Sequence, residues 1–132
     1  MANQLMPYLI FPGTCKEALT FYCDCLGGEI AFLQTVGESP LKVDNAWSHR
    51  VFHSEFRVGE VRFRASDNMP NQELVHGTNF ALFVTFAEKE RQVSAFEKLV
   101  EGGNVIMPLE GNFGMLCDRY QIQWMLVHDT ES

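Results

Sequence analysis

The stretch FPGTCKEALTFYCDCLGGEIAF, residues 11–32, is answered 75 positions later by FAEKERQVSAFEKLVEGGNVIM, residues 86–107. Phe11 matches Phe86, Ala18 matches Val93, Phe21 matches Phe96 and Cys25 matches Val100. Gly27-Gly28 matches Gly102-Gly103, Ile30 matches Val105 and Phe32 matches Met107. Each pair predicts one local role in both copies: end of a strand, inner face of a helix, helix stop, start of the next strand. A repeat of this length means two copies of one supersecondary unit. Two such units are expected to enclose a cavity between them.

Outward from the repeat, Tyr8 to Phe11 predicts a strand and Pro12-Gly13 a turn. Thr14 is placed as a helix N-cap with Glu17 completing a capping box. The helix runs to Leu26, with Cys15, Ala18, Leu19, Phe21, Tyr22, Cys25 and Leu26 on one side. Glu29 to Leu33 is a strand, and Thr35 to Ser48, with Gly37 and Pro40, is a loop. Arg50 to Val58 and Val61 to Ser66 form a hairpin around Gly59-Glu60. The second copy has a strand over Phe80–Phe86, a helix over Glu88–Glu101, a strand over Asn104–Met107, a Pro/Gly loop, then Gly114 to Cys117 and a last strand over Gln121–Val127. The organisation is one domain spanning residues 1–132: module one over about 5–67, a polar linker over 68–78, and module two over about 79–128.

A chain of 132 residues can bury roughly two thirds of its unfolded surface. Eleven phenylalanines predict an aromatic-rich core, and the net charge of −7 argues against nucleic acid or an anionic membrane as a partner. No apolar run approaches the ~20 residues a membrane-spanning helix needs. The first residues show no basic region followed by an apolar stretch, so a cytoplasmic location is expected. Cys15, Cys23, Cys25 and Cys117 are then expected as free thiols. Cys15 sits at the first helical position, where a helix N-terminus would lower its pKa; the competing expectation is a small semi-buried residue.

The hairpin fixes two faces. Val58 faces Val61, Phe56 faces Phe63 and Ser54 faces Ala65, an apolar side that should carry the helix. The other side holds His53, Glu55, Arg57, Arg62 and Arg64, with Glu55 opposite Arg64 and Arg57 opposite Arg62. Two arginines directly opposite repel unless a carboxylate or an anion lies between them. This face is either solvated or lines a cavity and supplies charge to a ligand.

Tandem β-α-β-β-β modules, with Tyr8-Leu9-Ile10-Phe11, Glu17-Ala18-Leu19-Thr20-Phe21-Tyr22 and Leu26-Gly27-Gly28-Glu29-Ile30, resemble the vicinal-oxygen-chelate superfamily of glyoxalase I, bleomycin-resistance proteins and extradiol dioxygenases. Within it the chain is most similar to the PhnB-like branch, on His53-Ser54-Glu55-Phe56, Ser66-Asp67, Gly102 through Leu109, Phe113-Gly114-Met115, Asp118 and Trp124. Many members of that branch carry a ubiquinone-pathway methyltransferase label, but the sequence has no glycine-rich nucleotide loop for S-adenosylmethionine. The resemblance implies an α+β fold of two tandem βαβββ modules, curved sheets around a cavity, and a homodimer. Two departures bear on one cavity wall: the Leu109–Gly114 loop is shorter than the branch's usual form, and Gln121 stands where glycine is usual.

Superfamily enzymes hold a divalent metal with one side chain from each of four strands. Those positions fall at about Pro7, Arg64, Asn79 and Met125, and only Asn79 offers a hard donor. The resemblance therefore implies no metal here. A substitute set of His49, His53 and Glu55 would lie on one face of an extended strand, though ~6–7 Å between alternate residues would strain three ligands around one ion. His76 and His128 are expected at the surface. With Arg64 at the old metal position, the cavity centre is cationic, and strand parity adds Leu9, Asn79, Ala81, Phe83, Gln123 and Met125 to its lining. Trp124 faces the second helix; Trp47 serves either as a lid residue stacking on ligand or as a dimer contact. The leading expectation is a metal-independent binder of a small molecule with an anionic group and an apolar body, using Arg62 and Arg64. The alternative is a lyase, isomerase or oxidoreductase in which His53 and Glu55 act with a divalent metal, or in which His53 is a general base oriented by Glu55.

Overall fold

The computed structural model describes residues 3–41 and 44–129. They divide into two compact units, Met1–Leu74 and Val75–Ser132, at a point inside the polar 68–78 segment.

Unit one contains β1 (Tyr8–Phe11), α1 (Cys15–Leu26), β2 (Glu29–Thr35), β3 (Val51–Val58) and β4 (Val61–Asp67). Unit two contains β5 (Leu82–Phe86), α2 (Lys89–Leu99), β6 (Asn104–Glu110), β7 (Phe113–Cys117) and β8 (Gln123–His128). The sheets run β1-β4-β3-β2 and β5-β8-β7-β6, the same order in both copies. The first strand of each unit pairs in parallel with the last, and the other pairings are antiparallel. The fold is α+β, two four-stranded open sheets each carrying one helix.

The hairpin register is the one its two-residue turn demands: Ser54 with Ala65, Glu55 with Arg64, Phe56 with Phe63, Arg57 with Arg62 and Val58 with Val61. Gly59 makes the turn at φ 56°, a conformation open to glycine at little steric cost. Phe56, Phe63, Ser54 and Ala65 are buried under α1, whose Ala18, Leu19, Tyr22 and Cys25 form its inner stripe. Phe56 stacks on Phe63 at 4.9 Å between centroids, and Tyr22 meets Phe63 edge-on at 5.9 Å. Trp124 is fully buried in unit two, its Nε1 donating to Asp118 at 2.8 Å.

Several expectations are corrected. Thr14 makes no side-chain cap on α1. The work falls to Asp67 at the end of β4, whose two carboxylate oxygens accept from the Cys15 amide at 2.9 Å and the Val51 amide at 2.8 Å. Burial first, and then the Asp67 charge, push the Cys15 thiol up to about 12, the opposite of helix-terminus activation. Strand β6 does not stop at Met107 but runs to Glu110 through Pro108; it is an edge strand with shifted register after Met107, where a missing N–H is tolerated. The 35–48 segment contains two short 3-10 turns, Val36–Glu38 and Asn45–Trp47, and residues 42–43 lie outside the described residues. The helical pairs Ala18/Val93 and Phe21/Phe96 are out of phase: Phe21 and Val93 are half-buried while Tyr22 and Phe96 are core. Helix α2 starts three residues after its strand and α1 four, which shifts the inner face by one position.

Candidate functional site

Across the face of the first sheet away from α1, one register row crosses all four strands. Tyr8 of β1 pairs with Arg64 of β4, Arg64 with Glu55 of β3, and Glu55 with Phe32 of β2. His53 stands two residues from Glu55 on the same face, opposite Gln34. Side chains at paired positions share a face and reach one another.

Glu55 is the anchor. It is 3 % exposed, and its Oε1 accepts from Arg64 Nε at 3.0 Å while Oε2 accepts from Arg57 Nη2 at 3.2 Å. Burial, the largest single influence, pushes its carboxyl up, but the hydrogen bonds and charges of Arg64 and Arg57 together outweigh it and hold the group below its ordinary value. Arg57 thus turns to Glu55, which relieves its opposition to Arg62. Arg62 is exposed and pairs with no carboxylate among the described residues.

Arg64 reaches further. Its Nη1 lies 3.3 Å from His53 Nε2, and its guanidinium carbon sits 5.6 Å from the Phe32 ring centre. His53 Nδ1 lies 3.1 Å from the Tyr8 hydroxyl, and the two rings stack at 5.7 Å with 15° between planes. Phe32 also meets the His53 ring at 5.4 Å. The Arg64 side chain remains 41 % exposed, so a buried carboxylate holds a guanidinium that still faces outward between aromatic rings. The same face carries Glu29 opposite Arg57. Three arginines against two glutamates leave it at +1 in a chain whose net charge is −7.

The second sheet has the same row with different chemistry: Phe83 pairs with Met125, Met125 with Met115, and Met115 with Met107. Every polar member of the first row is replaced by an apolar one, and Phe83 and Met107 are well exposed.

Residues 3–127 match the family described as 3-demethylubiquinone-9 3-methyltransferase. The chain belongs to this family. Protein PA1353 of Pseudomonas aeruginosa is 33 % identical with a TM-score of 0.88, over 97 % of this chain and 98 % of that one. The PhnB protein of Bacillus cereus is 27 % identical with a TM-score of 0.80, over 96 % of this chain and all of that one. The fosfomycin resistance protein FosX of Listeria monocytogenes is 14 % identical with a TM-score of 0.64, over 98 % of this chain and 93 % of that one, and shares the fold alone. The family is a PhnB-like branch of the vicinal-oxygen-chelate superfamily, as the sequence resemblance implies.

The residues this family member places at the superfamily's metal positions do not fit a divalent ion. Arg64 is a cation bonded to both Glu55 and His53, and Met125 is a soft donor. The β1 residue paired with Arg64 is Tyr8, not Pro7, so Pro7 does not share the Arg64 row. The same one-residue slip moves Leu9 out of the lining: it pairs with Ala65, is 4 % exposed, and packs in the core. The repeat carried the signal for Tyr8, since Phe83 lies 75 positions after it. His49 precedes β3 and is exposed, so it does not share the strand face of His53 and Glu55. No group of three or more His, Cys, Asp or Glu side chains suited to a metal occurs among the described residues.

The other expected site residues divide. Asn79 and Ala81 precede β5, which begins at Leu82, not Phe80; Asn79 is exposed. Phe83 and Met125 share the apolar row, and Gln123, on the same face, donates from Nε2 to the Phe80 carbonyl at 2.6 Å. Trp47 is not among the contacts of the charged row: the Arg50 guanidinium lies 4.0 Å over its ring. Glu55 does not touch His53 directly; Arg64 stands between them. His76 is exposed and His128 half-buried at the end of β8. A cavity of about 400 Å³ in unit one opens at the edge of this face, between the α1 C-terminus and the β3–β4 turn, and shares Glu29 and Arg57 with it but not Arg64, His53 or Tyr8.

Proposed function

We propose that this family member binds a small molecule bearing an anionic group and an apolar body, without a metal, and that Arg64 receives the anion. The observation that carries the reading is the state of Arg64. It is fixed by the buried Glu55, backed by Phe32, and still 41 % exposed. A guanidinium held this way presents a preorganised fork to a carboxylate or similar oxyanion. Exposed Arg62 adds to the local positive field.

Methyl transfer, which the family description names, needs a place for the methyl donor. The strand-to-helix turns of the two units, Phe11 to Cys15 and Phe86 to Lys89, contain one glycine, Gly13, and form no glycine-rich cradle for a nucleotide. The enzyme reading asks for a free nitrogen on His53, and both ring nitrogens have partners, Tyr8 and Arg64.

Arg64→Ala is expected to lower affinity for aromatic carboxylates found by thermal-shift screening by at least tenfold, a charged hydrogen-bond partner being worth about 1.5–3 kcal/mol. Equal affinity in wild type and variant removes Arg64 from the site. Elemental mass spectrometry of the untagged protein, before and after incubation with manganese, iron, nickel and zinc, checks the metal. One tightly held ion per chain overturns the metal-independent reading in favour of the enzyme.

A further inference from the structure

We propose that Tyr8 is a specificity-determining residue, and that Tyr8 and Arg64 together select a fully ionised oxyanion over neutral groups of the same shape. This rests on the reading of Arg64 as the anion contact and adds to it the second donor and the class of group recognised.

The argument is an inventory of donors and acceptors. Arginine has no acceptor, so the 3.3 Å contact between Arg64 Nη1 and His53 Nε2 requires Nε2 to be the bare nitrogen. The neutral imidazole therefore carries its proton on Nδ1. That proton points at the Tyr8 oxygen 3.1 Å away, so Tyr8 accepts from His53 and its own O–H is left to donate elsewhere. The stacked rings, 15° from parallel, keep the phenol in this place. Glu55 is buried and both of its oxygens are taken by arginines. The acceptors that touch Arg64 and Tyr8 are thus consumed. What remains unspent beside Arg64 is donors: the Tyr8 hydroxyl and the three N–H groups of Arg64 beyond those given to Glu55 and His53. Tyr8 and Arg64 are register partners across the β1–β4 ladder and both contact His53, so the donors share one patch of the sheet face. A carboxylate or sulfonate, all acceptor, satisfies that patch. An amide or an alcohol brings hydrogens that meet donors.

The test compares benzoate, benzenesulfonate, benzamide and benzyl alcohol by calorimetric titration of the wild-type chain, Arg64→Ala and Tyr8→Phe. Tyr8→Phe keeps the ring stack and removes only the hydroxyl. The expected result is binding of both oxyanions, at least tenfold weaker binding of the neutral probes, and about a tenfold loss for oxyanions in Tyr8→Phe with an unchanged melting temperature. Long-range 1H–15N spectra of the imidazoles, with His53 assigned through His53→Asn, are expected to show the Nδ1–H tautomer when the ring is neutral. Oxyanion binding that needs Arg64 but not the Tyr8 hydroxyl overturns this inference and leaves the anion site standing. Benzamide binding as tightly as benzoate, or an Nε2–H tautomer, overturns it as well. Failure of both oxyanions to bind overturns the anion site and this inference together.

Discussion

Glu55 shows how one buried charge organises a surface. It is inaccessible itself, yet it decides where two arginines point. Its pH signature has a definite sign. The folded-state pKa is below the unfolded one, so its contribution is present above the unfolded pKa, about 4.3, and is lost as pH falls through the folded value. Glu55→Gln is therefore expected to be less stable than wild type at pH 7 in urea unfolding, with the gap narrowing as the pH is lowered below about 4. A constant gap across that range would mean that the Glu55 charge contributes nothing to folding. Gln121 is a second informative residue. It is the non-glycine residue at positive φ among those described, 68°, and its amide donates to the Asp118 carbonyl at 3.0 Å. The sequence made the charged side of the hairpin legible through parity alone, and His53, Glu55, Arg62 and Arg64 all lie on it. Alternation within β1 does not reveal Tyr8, because a four-residue strand offers too little of it to set its own phase; the repeat held a signal through Phe83, and the parallel pairing with β4 sets the register.

At the scale of elements, the repeated Gly-Gly pair is a packing device. A Cβ on Gly103 would overlap the Cys117 carbonyl oxygen, and one on Gly28 would lie 2.6 Å from the Phe56 ring and 2.8 Å from the Arg57 carbonyl oxygen. The helix ends in both units bring the chain directly onto a neighbouring strand. Gly103→Ala is expected to destabilise by about 3 kcal/mol or more, since backbone must shift. Gly59→Ala, which meets open space, should cost only about 1 kcal/mol from its positive φ. Urea midpoints that rank the two in the opposite order would contradict the close approach. Phe63→Ala should cost about 3–5 kcal/mol, because Phe63 lies between Phe56 and Tyr22 under α1. A loss under about 1 kcal/mol would reverse the assignment of the hairpin faces. Helix limits were legible because an amphipathic stripe and a Gly-Gly stop bracket α1; the β6 extension was not, because proline discourages a strand unless that strand lies at an edge, and edge position is a property of the sheet.

At the scale of the whole molecule, duplication supplied two copies of one architecture that diverged on the face away from the helix. The row Tyr8–Arg64–Glu55–Phe32 is polar and aromatic; its counterpart Phe83–Met125–Met115–Met107 is apolar. The spacing between copies is 75 in β1/β5 and β2/β6 and falls to 61 in β4/β8, since a two-residue turn at Gly111-Asn112 replaces the long 36–50 connection. By itself the sequence determined the β-α-β-β-β order, the duplication, the hairpin register and the family, because these follow from short-range periodicity, turn chemistry and spacing. Only the tertiary structure decided which β1 residue joins Arg64, that Asp67 and not Thr14 caps α1, and that Cys15 is a suppressed thiol. Each of these depends on strands and side chains separated by roughly fifty residues meeting in space, where pairing register and burial, not local pattern, set the outcome.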